Sequence, residues 1–473
     1  MSDFSLLIDG ALVPGAKIMP VINPATAHPF ADSPRASEEQ MNKAVAAAAR
    51  AFPSWSGTSI EARRNILVQM ADAVAERADD LLPLLVCEHG MTLAAARIEL
   101  MIFGFKLRQA AAAALPTGVI DAGPGHHVEQ RLAPLGVVAA IIPWNVPLTL
   151  FGSKIASALL VGNCVVAKPA PTTPLTTLRI GAIVAELLPP GVLNIVTDAN
   201  DLGSLLCRHP DVRMISFTGS TATGQRIMES SAGGLKRLLL ELGGNDPAIV
   251  LADADVALAA STIYESAFFN CGQACIATKR VYVHRSLQSA LCDALGEKIA
   301  ATRIGDGMSG NVDYGPIQNK AQYDRIVALI DDAERLGTVV ARGEAQAGEG
   351  YFVAPRLVTG VDDNAPVVRE EQFGPILPVL TFDDVDDAIA RSNATPFGLA
   401  ASVYSTDVTA ARAVAQRLEA GTVNINKIIS FHPAIPFSGA KLSGFGIDGG
   451  QLGLLNYGQI QIVDEADLAA ETH

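Results

Sequence analysis

Cysteine is scarce in this chain: six thiols in 473 residues, at positions 87, 164, 207, 271, 275 and 292. They are too few and too scattered for a disulfide framework, and no Cys-x-x-Cys pair or histidine spacing suggests zinc. Basic charge is short as well, with 35 Lys and Arg against 49 Asp and Glu, a net −14. An acidic chain without a basic run lacks the electrostatic footprint of a nucleic-acid binder and the polybasic stretch that holds an anionic membrane. The stretch Met1–Gly10 has neither a basic n-region nor a long apolar core, so no signal peptide is expected there. The uncharged run Ala133–Gly152 matches a bilayer in length. Pro134, Pro143 and Pro147, with Asn145, would however break a spanning helix. The run reads as a buried strand, 136–142, entering a loop. Fixed-period repeats, low-complexity segments and long linkers are also missing. The expectation is a cytoplasmic protein with reduced thiols and no membrane or nucleic-acid partner.

What is present is a large apolar fraction, 49 % against 18 % charged, enough for two or three domains with cores of their own. The first 115 residues are expected to be mostly helical. Ser37 and Gln40 have capping-box spacing before Met41, Ala44, Val45, Ala48 and Phe52. Further helices are expected over 59–77 and 79–89, the last ending at Gly90. From Gly136, short apolar runs (137–142, 164–167, 193–196, 214–217, 238–240) alternate with helical stretches (151–161, 175–188, 201–207, 221–232). Strands without polar alternation, joined by helices, imply a parallel sheet covered on both faces, with ligands beyond the carboxyl ends of its strands. A second α/β unit follows Gly244, with helices at 256–270, 286–301 and 320–335 and strands at 280–283, 376–382, 400–404 and 421–426. Thr117–Pro134 reads as an exposed hairpin and 458–464 as another strand. Such edges invite pairing with a second subunit.

Several residues could carry chemistry. Cys275 follows Gly272-Gln273-Ala274 where a helical pattern ends; a thiol in such a turn can be activated, yet a lone cysteine is more often a small buried hydrophobe, and Cys271 could compete. Glu241 ends an apolar strand before Leu242-Gly243-Gly244. It fits a general base of raised pKa or a solvated turn carboxylate equally well. Asn145, after Pro143-Trp144, could donate to an oxyanion or simply make a turn. Phe217-Thr218-Gly219-Ser220, with Gly224, sits where a strand becomes a helix and could hold phosphate, although it is neither GxGxxG nor a P-loop.

Together with Lys168-Pro169-Ala170, Glu371-Gln372-Phe373-Gly374-Pro375 and Pro436-Phe437-Ser438-Gly439, these segments resemble in order and spacing the signature motifs of the aldehyde dehydrogenase superfamily. The resemblance covers essentially the whole chain, from Asn23-Pro24-Ala25-Thr26 to Lys441-Leu442-Ser443-Gly444. It implies an α/β fold with a Rossmann-type cofactor domain (1–116 and 137–243), an α/β catalytic domain (244–442) and a small β element for oligomerisation (117–136 and 455–473), in a homodimer or homotetramer. It also implies oxidation of an aldehyde to the acid with NAD or NADP and no metal. Cys275 would be the nucleophile, Asn145 and the Cys275 N–H the oxyanion donors, and Glu241 the base for water. Lys168 would reach the adenosine ribose, and Gly219, Ser220 and Gly224 the diphosphate, with Trp144 nearby. Glu371 would hold the nicotinamide ribose with support from Phe373, and Leu242 and Gly243 would lie beside the nicotinamide.

The chain departs from the family pattern in three places. Position 171, where NAD-preferring members usually carry an acid, is Pro171, which leaves NADP open beside NAD. The adenine-side loop Val196–Asn200 lacks its usual glycines and keeps only Gly203. An Arg-Glu pair near the end is Ile447-Asp448. The positions matching the family's substrate tunnel are Val146, Leu150, Ser153, Phe269, Ala274, Ile276 and Phe437. None is a cation, so a neutral aliphatic or aromatic aldehyde is expected. The alternatives are a CoA-acylating enzyme of the same fold and a non-catalytic binding protein built on it.

Overall fold

The computed structural model describes residues 4–123, 126–429, 432 and 434–466. Its first sheet has eight strands, and the five apolar runs of the first half form its parallel centre. In spatial order these are Leu193–Ile195, Cys164–Lys168, Val137–Ile141, Val212–Thr218 and Arg237–Glu241. Residues 137–141 and 164–168 are buried throughout, which is why they carry no polar alternation. The chain moves outward from 137 to 164 to 193 and then crosses back to 212 and 237. The order therefore reverses between Val137–Ile141 and Val212–Thr218. At such a switch point the loops leave the sheet in opposite directions and open a crevice at the carboxyl ends.

Helices fill more than half of the first 115 residues, as expected, but only from Glu38 onward. Four strands precede the first helix: Leu6–Ile8 joins the first sheet antiparallel to Leu193–Ile195, Ala11–Val13 pairs antiparallel with Leu6–Ile8 at the sheet's edge, and Lys17–Asn23 and His28–Arg35 form a separate hairpin. Leu6–Ile8 joins the sheet through a remote contact, Leu7 against Ile195, which local periodicity does not encode. Helices then occupy Glu38–Ser56, Ile60–Ala75, Ala78–His89 and Leu93–Ala112. The Ser37–Gln40 capping box is formed, and Gly90 ends its helix at φ +91°, a left-handed conformation that suits glycine.

The second sheet has seven strands in the order Thr338–Arg342, Arg356–Thr359, Ile376–Phe382, Thr278–His284, Asp246–Val250, Ala400–Tyr404, Thr422–Ile425. All pairs are parallel except the first. Asp246–Val250, opening on Asp and Pro, is a central strand that the sequence pattern did not reveal. A third sheet joins Gly118–Ile120, His126–Pro134 and Gly458–Ala466 antiparallel, matching the expected hairpin and C-terminal strand; the rest of 467–473 lies outside the described residues. Ala133–Gly152 is strand, loop and helix start, and among the described residues no single helix is long and apolar enough to cross a membrane.

One helix start bears directly on the site. Pro147–Val161 begins with Pro147 and has no side-chain cap of its own. The buried carboxylate of Glu99, from helix Leu93–Ala112, instead accepts the N–H groups of Leu148 and Thr149 at 2.7 and 3.2 Å. This satisfies donors that a helix start leaves free and anchors the chain just after Asn145.

Candidate active site

At the carboxyl end of Val137–Ile141, the turn Pro143-Trp144-Asn145 is held by several contacts. The buried Asn145 donates from Nδ2 to the Gln273 carbonyl at 3.0 Å, and its backbone oxygen accepts from Asn270 Nδ2 at 2.9 Å. His89 Nε2 lies 2.7 Å from the same oxygen, and Met91 N–H donates to His89 Nδ1. Burial lowers the His89 pKa to about 4, so the ring is neutral with its proton on Nε2. A carboxamide nitrogen has two N–H donors; with one on Gln273, the other is available to a ligand.

Cys275 comes from the other side, three residues before strand Thr278–His284. Asn270, Cys271 and Gly272 lie consecutively at φ +53°, +58° and +76°. A Cβ on Gly272 would come 2.3 Å from the Gly374 carbonyl oxygen, so this turn requires glycine. The turn buries Cys271 in the second sheet's core, while Cys275 lines a cavity of about 180 Å³. The competition between the two thiols is thus resolved in geometry: only Cys275 faces the space. Desolvation pushes the Cys275 thiol up to about 12, helped by the carboxylates of Glu371, Asp246 and Glu241 and opposed by Lys279. Lys279 is itself buried, donates to the Gly272 carbonyl at 2.7 Å and lies 5.3 Å over the Phe373 ring.

The same cavity is lined by Trp144, Asn145, Gly219, Ser220, Leu242, Gly243, Glu371 and Phe373. It thereby brings nine of the expected site residues together. Trp144 and Phe373 meet edge to face at 5.5 Å, joining the two sheets' loops. Glu371 accepts the Gly244 N–H at 3.0 Å, and a Cβ on Gly243 would fall 2.4 Å from its Oε2. Ser220 caps helix Thr221–Ser231 through the Thr223 N–H. Gly224 lies one turn in, where a Cβ would strike Leu242. A helix N-terminus, glycines without Cβ and a buried, unpartnered Thr218 hydroxyl make a cradle suited to a dinucleotide diphosphate, and Glu371 fits a ribose hydroxyl. The residues fit the cofactor.

Glu241, the residue before cavity-lining Leu242, is buried, with neither carboxylate oxygen hydrogen-bonded. Burial first, then Asp448, raises its pKa well above the usual carboxylate value, while Lys154 opposes. Lys154 is buried and lowered to about 8; it donates to Ser216 Oγ, which pairs with Tyr457. Asp448, the departure near the C-terminus, accepts from Ser153 Oγ at 3.1 Å. His89, Lys154 and Lys279 are not marked by the sequence, and Asp448 is marked there only as a departure from the family pattern. Each looks like an ordinary helix, strand or loop charge until burial is known.

Lys168 and Gly203 lie together on the first sheet's far side, a Gly203 Cβ falling 3.8 Å from the Lys168 side chain. The tunnel positions are dispersed. Ser153 lines a separate cavity of about 480 Å³ with Gln109 and Ser157. Val146, Leu150 and Ile276 are half-buried, Ala274 is buried and Phe269 is 48 % exposed. Phe437 pairs with Asp448 through backbone hydrogen bonds. Among the described residues no group of His, Cys, Asp and Glu could hold a metal ion.

Residues 13–463 match the sequence profile of the aldehyde dehydrogenase family. An aldehyde dehydrogenase from a Fusarium species is 39 % identical over 93 % of this chain and 94 % of its own length. The mitochondrial benzaldehyde dehydrogenase of Antirrhinum majus is 36 % identical over 97 % of this chain and 88 % of its own. The NAD+ complex of a Bacillus cereus aldehyde dehydrogenase superposes with a TM-score of 0.94 at 34 % identity, covering 98 % of this chain and 96 % of that one. The chain belongs to the aldehyde dehydrogenase family, whose members oxidise aldehydes to carboxylic acids with NAD(P).

Proposed function

We propose that this enzyme oxidises a neutral aliphatic or aromatic aldehyde, with Cys275 as nucleophile, Asn145 as oxyanion donor and Glu241 as the base for water. The observation that carries this reading is the single cavity shared by Cys275, Asn145 and the dinucleotide cradle. Cys275 Sγ adds to the aldehyde carbon, and its proton leaves to solvent or a nearby carboxylate. The free Asn145 Nδ2 hydrogen and the Cys275 backbone N–H steady the oxyanion of the resulting thiohemiacetal. Bound NAD supplies the two-electron acceptor for its collapse to a thioester. Glu241, kept unpartnered and desolvated, then takes a proton from water as the water attacks the thioester carbonyl, and Cys275 leaves as thiolate. A soft nucleophile that also leaves well suits both halves of this sequence.

Lys168 and Gly203 are assigned to the adenosine ribose side, Gly219, Ser220 and Gly224 with Trp144 to the diphosphate, and Leu242, Gly243, Glu371 and Phe373 to the nicotinamide end. The apolar character of Val146, Leu150, Phe269, Ala274, Ile276 and Phe437, with Ser153, supports an uncharged substrate, as does the name of the Antirrhinum relative. The units 1–116 with 137–243 and 244–442 are read as cofactor and catalytic domains. The three-stranded sheet of 117–136 and 455–473 is read as the contact for a homodimer or homotetramer, and the compartment as cytoplasmic. An aldehyde panel followed by reduced-cofactor absorbance, with and without CoA, tests the reading. Acid formation independent of CoA is expected, and a requirement for CoA with acyl-CoA as product would replace it.

A further inference from the structure

Position 171 offers no acid, yet Lys168 is not left without one. Its Nζ lies 2.6 Å from Asp198 Oδ1, with the two side chains 5 % and 0 % exposed. Asp198 Oδ2 accepts the Leu202 N–H at 2.9 Å, and Asn200 Oδ1 lies 3.5 Å from the same ammonium. The carboxylate comes from the adenine-side loop that lacks its usual glycines. The same loop carries Asp201, which pairs with Arg35. Residues 198–201 thus supply a carboxylate to Lys168 and another to Arg35.

We propose that Asp198 sets the dinucleotide preference of this enzyme, favouring NAD by holding Lys168 in a buried ion pair that leaves no free positive charge for a 2′-phosphate. This rests on the reading of Lys168 as the adenosine-ribose contact. An ammonium has three N–H donors, so Lys168 can keep Asp198 and still donate to a neutral ribose hydroxyl. A 2′-phosphate can engage that charge only by competing with Asp198, which would leave a buried carboxylate unpaired beside a second anion, and that arrangement is costly. Pro171 takes no part, because its side chain neither accepts a hydrogen bond nor repels an anion.

The test is equilibrium binding of NAD and NADP by calorimetry, without aldehyde. The wild type binds NAD more tightly than NADP; equal or tighter NADP binding overturns the proposal without any variant. Asp198→Asn, which keeps the shape and a hydrogen bond to Lys168, narrows the NAD-to-NADP ratio by about tenfold, mainly by tightening NADP. Asp198→Glu, which retains the charge, moves the ratio less. An unchanged ratio in a folded Asp198→Asn protein overturns the proposal. Lys168→Ala separates the two levels of the argument. It weakens NAD if the ribose lies on Lys168, and unchanged NAD affinity would show that the ribose reading itself had failed.

Discussion

The two large sheets face the same cavity with opposite ends. The first gives its carboxyl ends: Asn145 after Val137–Ile141, Gly219 and Ser220 after Val212–Thr218, and Leu242 and Gly243 after Arg237–Glu241. The second gives its amino ends: Cys275 before Thr278–His284 and Glu371 and Phe373 before Ile376–Phe382. The difference matches the work assigned to each. Carboxyl ends lead into helix N-termini, whose free N–H groups suit an anionic diphosphate and an oxyanion. Amino ends are entered by loops that must turn sharply. Here the turns are left-handed, at 270–272 and at Phe373 (φ +57°), and buried Lys279 supplies the countercharge that a helix N-terminus would otherwise give. The first sheet presents backbone donors together with Asn145 and Glu241, and the second presents the thiol.

The most damaging way to break this division is Cys275→Ala. It should lower acid formation by about 10⁴-fold or more while leaving NAD affinity nearly unchanged, and Cys271→Ala should cost far less. Steady-state rates beside calorimetric NAD binding check both. If NAD affinity falls with the activity, the second sheet is also holding the cofactor.

Glu241→Gln removes the base that the first sheet supplies and should slow turnover by about 10²–10³-fold. Its pH behaviour follows from its burial. With the pKa raised, the carboxyl stays protonated at pH values where a free glutamate is ionised, so the base is lost as pH falls through that raised value. The wild-type rate should therefore show an acid limb above the usual carboxylate range, and the limb should be absent in Glu241→Gln. A limb unaltered by the substitution would assign it to another group.

Gly272→Ala tests whether the strained turn does the presenting. Non-glycine strain at φ +76° and the close Gly374 carbonyl should cost about 1–3 kcal/mol of stability and reduce turnover in the protein that still folds, as thermal unfolding and kcat would report. His89→Ala, which removes the donor to the Asn145 carbonyl, should be the mildest. A roughly tenfold loss of kcat with little change in KM is expected, and His89→Gln, which restores an N–H donor, should recover part of it. An equal fall from both substitutions would mean that packing alone matters there.

The same division explains what could be read in the sequence. The first sheet was legible because its strands are unbroken apolar runs and its cavity-lining residues lie where the carboxyl-end rule puts them. The second half was legible only in part. Ile376–Phe382 and Ala400–Tyr404 appear at their expected residues, but Asp246–Val250 starts on a charge and a proline and carries no strand signal. The carboxyl-end rule gives no reason to look at Cys275 or Glu371; the motif resemblance located them. Neither route found His89, Lys154 or Lys279, nor the pairing of Lys168 with Asp198 thirty positions on, because a charge becomes informative only when the fold removes its water. The early strands 6–35 were hidden because Leu6–Ile8 and Ala11–Val13 are only three residues long and the hairpin strands carry Pro20, Pro29 and Pro34, which weaken a strand signal.

The central claim is that a nucleophile from one sheet and a base from the other act in succession on a single bound aldehyde. Intact-mass and peptide analysis of Glu241→Gln, quenched early after mixing with NAD and aldehyde, tests it most directly. The account predicts about one acyl group per chain, carried by the peptide at Cys275, with a matching burst of reduced cofactor. Acylation at Cys271, or a burst of reduced cofactor with no acyl group on the protein, would contradict it.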